Sequence, residues 1–537
     1  MKKAIILAAA VLLALPSFSQ SKAFRLGKFI EIQSSVLKEL NRSYVDTLPL
    51  DRMEKKAVEA MLAELDPYTV YVPKEKNEDF EMMINKVYGG IGALIYKPDK
   101  DGNVIINEPY MDSPAVRAGI RCADEIMAID GQTTHGLTVS EASAKMRGEP
   151  GSKVKFQVKK ARTGEIVEVE VTRERIHIPD IDYCGMLNES DGYILISGFT
   201  EGLSAEVRKD VKALKAQGMK RLVLDLRGNG GGLMQEAIGI VGIFVPRGST
   251  VVTSKGNDAV GEQNYRTTSD PEDTKLPIIV LVDGGSASSS EIVAGALQDL
   301  DRATIMGTRT FGKGLVQSIR PLPYGGQLKV TTAKYYTPSG RCVQAIDYSR
   351  RNEDGSVGYI PDSLTHEFKT LHGRTVRDGG GITPDVEIKP REYSRLSYSL
   401  VLNGVVEQFA IDFVRRHESI APAKDFHLED AEFERFIEFA KGREFDYRSS
   451  ARAIYDQMRE ALRKDGLEEN MKPELEALKK SLEMDKETFI RLKKEEIVPF
   501  IENEIAVRYY FTPGGAEVDI RYDETLRKAL EAKMIEI

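Results

Sequence analysis

The sequence predicts a multidomain α+β protein, and three observations carry that prediction. Its 537 residues exceed what one compact core fills. Its apolar content, 41%, is ordinary for globular protein, so sizeable cores are expected. The period of the apolar pattern changes along the chain, which divides it into 20–86 (helical), 87–175 (short strands), 176–395 (alternating strands and helices, with a polar insert at 347–379) and 396–537 (helical), behind a leader at 1–19.

The leader is the first element. Met1-Lys2-Lys3 is basic, Ala4 to Leu15 is an unbroken apolar run, and Pro16-Ser17-Phe18-Ser19 supplies small residues for cleavage, expected after Ser19. A membrane anchor would need about 20 apolar residues, more than this run offers. No cysteine follows it, which disfavours a lipid-attached form. The pattern predicts secretion across the inner membrane, to a periplasmic location. No later segment is long and apolar enough to span a membrane. The net charge of −8 argues against a nucleic-acid partner. Cys122, Cys184 and Cys342 are odd in number and widely spaced; they predict no disulfide framework or metal site and are expected to be small buried side chains.

Between residues 21 and 86, Phe24, Phe29, Ile30, Val36, Leu37 and Leu40 repeat at helical spacing. A second helix is expected over Met53–Leu65, ending before Asp66-Pro67. A cap or a dimerisation element is the default reading. From Tyr88 to about Arg175, glycine, aspartate and proline turns punctuate short strands. Three segments stand in order: Gly89-Gly90-Ile91-Gly92-Ala93-Leu94-Ile95, Ser113-Pro114-Ala115 with Ala118-Gly119-Ile120, and Asp124-Glu125-Ile126 with Ile129-Asp130-Gly131. They resemble PDZ domains, in which a glycine-containing loop holds a peptide's terminal carboxylate and the peptide pairs as an extra strand. The resemblance places that loop at Gly90, Ile91, Gly92 and Ala93. A small β-barrel with no ligand is the alternative.

From Gly192 the chain reads as α/β. Strand-like Tyr193–Ile196 and Leu222–Leu226 flank a helical Leu203–Ala216. The turn Arg227-Gly228-Asn229-Gly230-Gly231-Gly232 then opens a helix from about Met234 to Val241. Neither GxxxxGK[ST] nor GxGxxG fits this turn, so a phosphate cradle and a donor turn for an oxyanion both remain open. Next, the strand Ile278–Val282 breaks into Gly284, Gly285 and four serines at a helix N-terminus, where free N–H groups and the helix dipole favour negative charge.

A serine hydroxyl needs a base. None of histidines 135, 177, 366, 372, 417 and 427 is expected in a glycine-rich strand-end turn like that of the serines, and no HExxH or other metal-ligand cluster occurs, so neither metal nor cofactor is expected. Lysine is the other base, once burial lowers its ordinary pKa of about 10.4. Lys313, between Gly312 and Gly314 and flanked by Phe311, Leu315 and Val316, is a candidate, though an exposed loop lysine would look the same.

Gly285-Ser286-Ala287-Ser288-Ser289-Ser290-Glu291-Ile292 together with Gly312-Lys313-Gly314-Leu315-Val316-Gln317 resembles the carboxy-terminal processing (tail-specific) peptidases, secreted serine peptidases with a Ser-Lys dyad. Leu65-Asp66-Pro67-Tyr68-Thr69, Asp225–Gly232, Tyr336–Arg341 and Gly381–Asp385 extend the match. The resemblance implies an α/β crotonase-like core. It implies that Ser288 is the nucleophile, Lys313 the base and Gln317 the residue orienting that base; four residues apart, Lys313 and Gln317 would share a face on one helical turn. It places oxyanion donors at Ser289 and one glycine of 230–232, with Gly231 favoured, and a coupling role between peptide binding and the active site at Arg147. Ser289 departs from the family's usual alanine, and the 347–379 insert lies outside its minimal pattern. Ser286 and Ser290 are expected to bond backbone around the turn.

The implied function is an extracytoplasmic endopeptidase acting on proteins or peptides with accessible C-termini. The alternatives are a catalytically silent PDZ adaptor binding such tails and an acyl-CoA enzyme on the related fold. The helices after residue 396 read as a dimerising element first, and otherwise as a cap or a platform for an adaptor protein.

Overall fold

The computed structural model describes residues 21–97, 101–351, 356–447 and 449–535; the expected leader lies outside them. They form two compact units, dividing between Tyr71 and Val72.

The smaller unit carries helix α1, Lys22–Ser43, and α2, Leu50–Ala63. Ser21 caps α1 by accepting the Phe24 amide at 3.2 Å. Asp66 accepts the Tyr68 and Thr69 amides, each at 3.0 Å, and so closes the turn after α2.

The larger unit opens with α3, Asn77–Asn85, and β1, Val87–Gly90. The PDZ-like region follows, with strands β2 (Ala93–Tyr96), β3 (Val104–Pro109) and β4 (Glu125–Ile129), helix α4 (Val139–Met146), and strands β5 (Lys153–Lys159), β6 (Ile166–Thr172) and β7 (Glu174–His177). The sheet order is β2-β3-β4-β5-β6, and β7 pairs with β1. Strand β5 alternates exposed lysines or Gln157 with buried Val154, Phe156 and Val158, the pattern of a sheet with one wet face. Strand β2 stands at the sheet's edge, next to α4.

The central layer is a six-stranded sheet of β8 (Ile181–Met186), β9 (Asp191–Ile196), β10 (Arg221–Asp225), β13 (Ile278–Val282), β14 (Thr304–Gly307) and β17 (Val386–Glu387), in that order. Only the β8/β9 pair is antiparallel. Helices α5 (Leu203–Ala216), α6 (Met234–Phe244) and α7 (Ser289–Asp299) join its strands. A second, antiparallel sheet holds β11 (Thr250–Gly256), β12 (Glu262–Arg266), β15 (Leu315–Pro321) and β16 (Gln327–Tyr336); β16 pairs with both β15 and β11. All eleven residues of α7 are buried, and the core around α6 and α7 includes Ile292, Val293, Leu297, Val280 and Tyr335.

The polar insert forms two small hairpins, Ile346–Arg351 with Val357–Tyr359 and Glu367–Lys369 with Thr375–Arg377. It is anchored rather than loose: Arg374 pairs with Asp301 and Asp385 at 2.5 Å each. Buried Arg341, 1% exposed, meets Asp299 at 2.8 Å nearby.

Helices from α8 (Arg395–Leu402) and α9 (Val405–Arg416) to α14 (Lys494–Tyr522) form a core that includes Phe409, Phe433, Phe436 and Ile501, while Leu526 and Ala529 of α15 (Glu524–Glu531) pack with Tyr193, Val223 and Ile279 of the central sheet. Helix α14 is broken at Phe511 (φ 60°), and beside the break Arg508 donates to Asn107 of β3 at 2.7 Å. Among the described residues no helix is long and apolar enough to cross a membrane. One expectation about the cysteines fails. Cys122 is buried, but Cys184, on outer strand β8, is exposed and Cys342 intermediate.

Candidate active site

Three loops meet because three strands are neighbours. Strand β13 lies between β10 (Leu224 beside Val280) and β14 (Ile279 beside Thr304). All three run parallel, so their carboxyl ends deliver the turns 226–233, 283–288 and 308–314 to one edge, where open α/β sheets bind ligands.

Ser288 stands just before α7 with φ 57° and ψ −112°. That backbone conformation is strained for any residue with a side chain. The strain is held by the surroundings: the Ser288 amide donates to Glu291 Oε2 at 2.9 Å, and its carbonyl accepts the Tyr335 hydroxyl at 3.1 Å. The neighbouring serines are committed to backbone. Ser286 donates to Leu226 O (2.7 Å), Ser289 to Gly232 O (2.9 Å) and Ser290 to Asn229 O (2.9 Å), so the serine turn is stitched to the glycine-rich turn. A Cβ on Gly231 (φ 95°) would lie 2.7 Å from Ala287 O and 2.8 Å from the Ser289 amide nitrogen; glycine is what allows this approach. The Gly231 amide itself donates to Asn229 Oδ1 at 2.8 Å.

Glu291 fastens the third loop. Fully buried, its carboxyl accepts Thr310 Oγ1 (2.6 Å), the Gly312 amide (2.7 Å) and the Lys313 amide (2.8 Å) as well as that of Ser288. Burial raises its pKa and these hydrogen bonds pull it back, leaving it above the ordinary value. One carboxyl group thus fixes the backbone of both Ser288 and Lys313.

Ser288, Ser289, Gly231, Lys313 and Gln317 all line a single cleft of about 420 Å³, with Met83 and Ile84 of α3, Phe199, Leu315 and Ile319 among its apolar walls. None of the lining residues is a histidine. One sequence expectation is corrected here. Lys313 and Gln317 do not share a helical turn. Lys313 lies in the loop, and Gln317 lies on strand β15, where its amide donates to Thr331 Oγ1 of β16 at 3.2 Å. Ladder pairing of Leu315 through Pro321 with β16 outweighs the four-residue spacing.

The proposed peptide loop sits where β1 turns into β2. Ile91 is buried in the PDZ-like core, its carbonyl accepting the Ala115 amide at 2.9 Å, and Gly92 adopts φ 73°. The Tyr88 ring lies against Gly90. Arg147 ends α4, meets Asp79 of α3 at 3.0 Å and lies over the Tyr88 ring, 5.6 Å from its centroid. It therefore spans from the peptide loop to the helix that walls the cleft.

Behind the glycine-rich turn, Arg227 bridges buried Asp225 and Asp523 of the C-terminal helices, 2.5 Å to each, and Tyr193 donates to Asp225 at 2.7 Å. The sequence reading gave no role to Glu291, Asn229, Tyr335 or Asp523. Asn229, beside the glycines, was the one with a visible signal: a polar side chain inside a tight turn commonly bonds its own backbone.

Three family models match the chain: a PDZ domain over residues 89–172, peptidase family S41 over 191–350, and the C-terminal helical domain of probable PDZ-proteases over 396–532. The carboxy-terminal-processing protease of Bartonella bacilliformis is 35% identical over 317 residues, spanning 58% of this chain and 71% of that one. The chain belongs to peptidase family S41. A probable CtpA-like serine protease of Staphylococcus aureus strain N315 is 37% identical over 313 residues, 58% of this S41 chain and 61% of the relative's own length. Among solved structures, a photosystem II D1 C-terminal processing protease is 28% identical, covering 65% of this chain and 86% of that one with a TM-score of 0.36.

Proposed function

We propose that this S41 protein is a serine endopeptidase that acts outside the cytoplasm on proteins with accessible C-terminal tails. The observation that carries the reading is that Ser288 and Lys313 line one cleft, their backbones fixed by the same buried carboxyl group of Glu291. The tail would add as a strand to β2, its carboxylate held by the amides of Gly90 to Ala93. Lys313, neutral, takes the proton from Ser288 Oγ as that oxygen bonds to the peptide carbonyl carbon. The same proton passes to the departing amine, and water then hydrolyses the ester.

The Ser289 amide, in the first turn of α7, has no partner within its helix and is one donor to the oxyanion. The second comes from the 230–232 turn; because Asn229 holds the Gly231 amide, that donor must be shared with Asn229 or released by it. Gln317 steadies Lys313 from β15. Arg147 couples tail capture to the cleft through Asp79 and α3. The leader pattern supports a periplasmic address, and the C-terminal helices support either self-association or adaptor docking.

The test is cleavage of a disordered, tail-exposed substrate by wild type, Ser288→Ala and Lys313→Ala. Both variants should lose most turnover while still binding tail peptides. Wild-type rates in either would sink the dyad, and tail binding by an inactive wild type would favour the adaptor reading. Cell fractionation checks the address.

A further inference from the structure

Three lysines line the cleft, and they differ. Lys313 is the proposed base. Lys86 is paired, its Nζ 2.8 Å from Asp180 Oδ1. Lys329, on β16, has no hydrogen-bond or ion-pair partner among the described residues, and no aspartate or glutamate stands among those lining the cleft. Its ammonium is half-buried, and that desolvation lowers its pKa. An unpaired, partly desolvated cation is costly unless something anionic arrives. Structural lysines ordinarily avoid this by pairing or by reaching out to water.

We propose that Lys329 forms a carboxylate-recognising subsite, reading an acidic group on the substrate chain at a distance from the bond that Ser288 attacks. The inference rests on the peptidase reading. Its geometry comes from β16: Lys329 and Tyr335 both line the cleft, from positions six residues apart with a bulge at Thr332 between them, and the Tyr335 hydroxyl holds the Ser288 carbonyl. At about 3.3 Å per residue the two strand positions are about 20 Å apart. Lys329 enters the cleft from further along β16 than Tyr335, so its carboxylate belongs roughly three to six residues of extended substrate from the cut. Ile319, directly across the ladder from Lys329, gives the subsite an apolar floor. The carboxylate can come from an Asp or Glu side chain or from the chain end itself.

The experiment moves a single Glu, Gln or Lys along a peptide on both sides of a fixed cut site, each made as free acid and as C-terminal amide. Values of kcat/KM are measured for wild type, Lys329→Met and Lys329→Glu, with thermal melts as a folding control. Wild type should favour the carboxylate about tenfold at one position. Lys329→Met should erase that preference at an unchanged Tm, and Lys329→Glu should turn it toward lysine. Loss on amidation alone assigns the carboxylate to the chain end; loss on Glu-to-Gln exchange assigns it to a side chain. Equal cleavage of all peptides by wild type, or a preference kept in Lys329→Met, overturns the proposal. Failure of wild type to cut any peptide instead overturns the peptidase reading, and this inference with it.

Discussion

Replacing Glu291 with glutamine tests how the loops of the candidate active site are held. Its Oε2 accepts the amides of Ser288 and Lys313, and its Oε1 accepts Thr310 Oγ1 and the Gly312 amide. Glutamine presents one oxygen and one NH2 group. With the NH2 toward Ser288 and Lys313, both of their amides face a donor; turned the other way, the Thr310 hydroxyl can rotate to accept and only the Gly312 amide is left facing a donor. An unsatisfied buried group costs roughly 1–3 kcal/mol, so the better orientation costs about 2 kcal/mol, against a typical total stability of about 5–15 kcal/mol. The released Gly312 amide also loosens the loop that carries Lys313, and a displacement of about 1 Å can cost about a hundredfold in rate. Thermal unfolding and kcat/KM on the same preparation are the measurements. A Glu291→Gln protein with wild-type Tm and wild-type turnover would refute the reasoning, because the shared carboxyl group could then be neither a stabilising nor an aligning element.

Three further outcomes are expected. Ser289→Ala removes a hydroxyl spent on Gly232 O, so it should cost about 1 kcal/mol and leave turnover within a few-fold, in contrast to Ser288→Ala; peptide kinetics on the two variants show which serine reacts. Arg341→Met strips the partner from buried Asp299 and should destabilise by about 3 kcal/mol, read as a lower midpoint in denaturant. Asp519 lines the cavity behind the glycine-rich turn; burial first, then the charges of Asp523 and Glu504, push its pKa up from 3.8 to about 6. A raised carboxyl pKa stabilises most below its unfolded value, and that contribution is lost as pH rises from about 4 to about 6. Asp519→Asn should therefore gain on wild type in Tm across that window; parallel Tm curves would contradict it. Asp519 is exposed to solvent, which screens these charges, so the gain is much smaller than the full shift implies.

Much of the architecture was legible where local chemistry is decisive. The apolar run Ile278–Val282 and the amphipathic Leu203–Ala216 occur as strand and helix over those residues. The pattern could not say that β10, β13 and β14 are neighbours, which is what brings the glycine, serine and lysine turns together. Glu291 reads in sequence as an acid in a helix's first turn, yet its partners at Gly312 and Lys313 lie 21 and 22 residues on. Asp523 is 296 residues from Arg227. The stretch after Lys313 was misread because a spacing of four suits a helix, and only the ladder with β16 shows it to be a strand. Cys184 failed for a similar reason: exposure depends on β8 being the sheet's outermost strand.

The dihedral angles of Ser288 carry a last consequence. At φ 57° and ψ −112° a glycine would be at ease and every other residue pays for its β-carbon. Judged by folding alone, this position is better served by the one residue that can do no chemistry. A serine there gives up stability that a glycine would keep, and in return places a hydroxyl on the wall of the cleft.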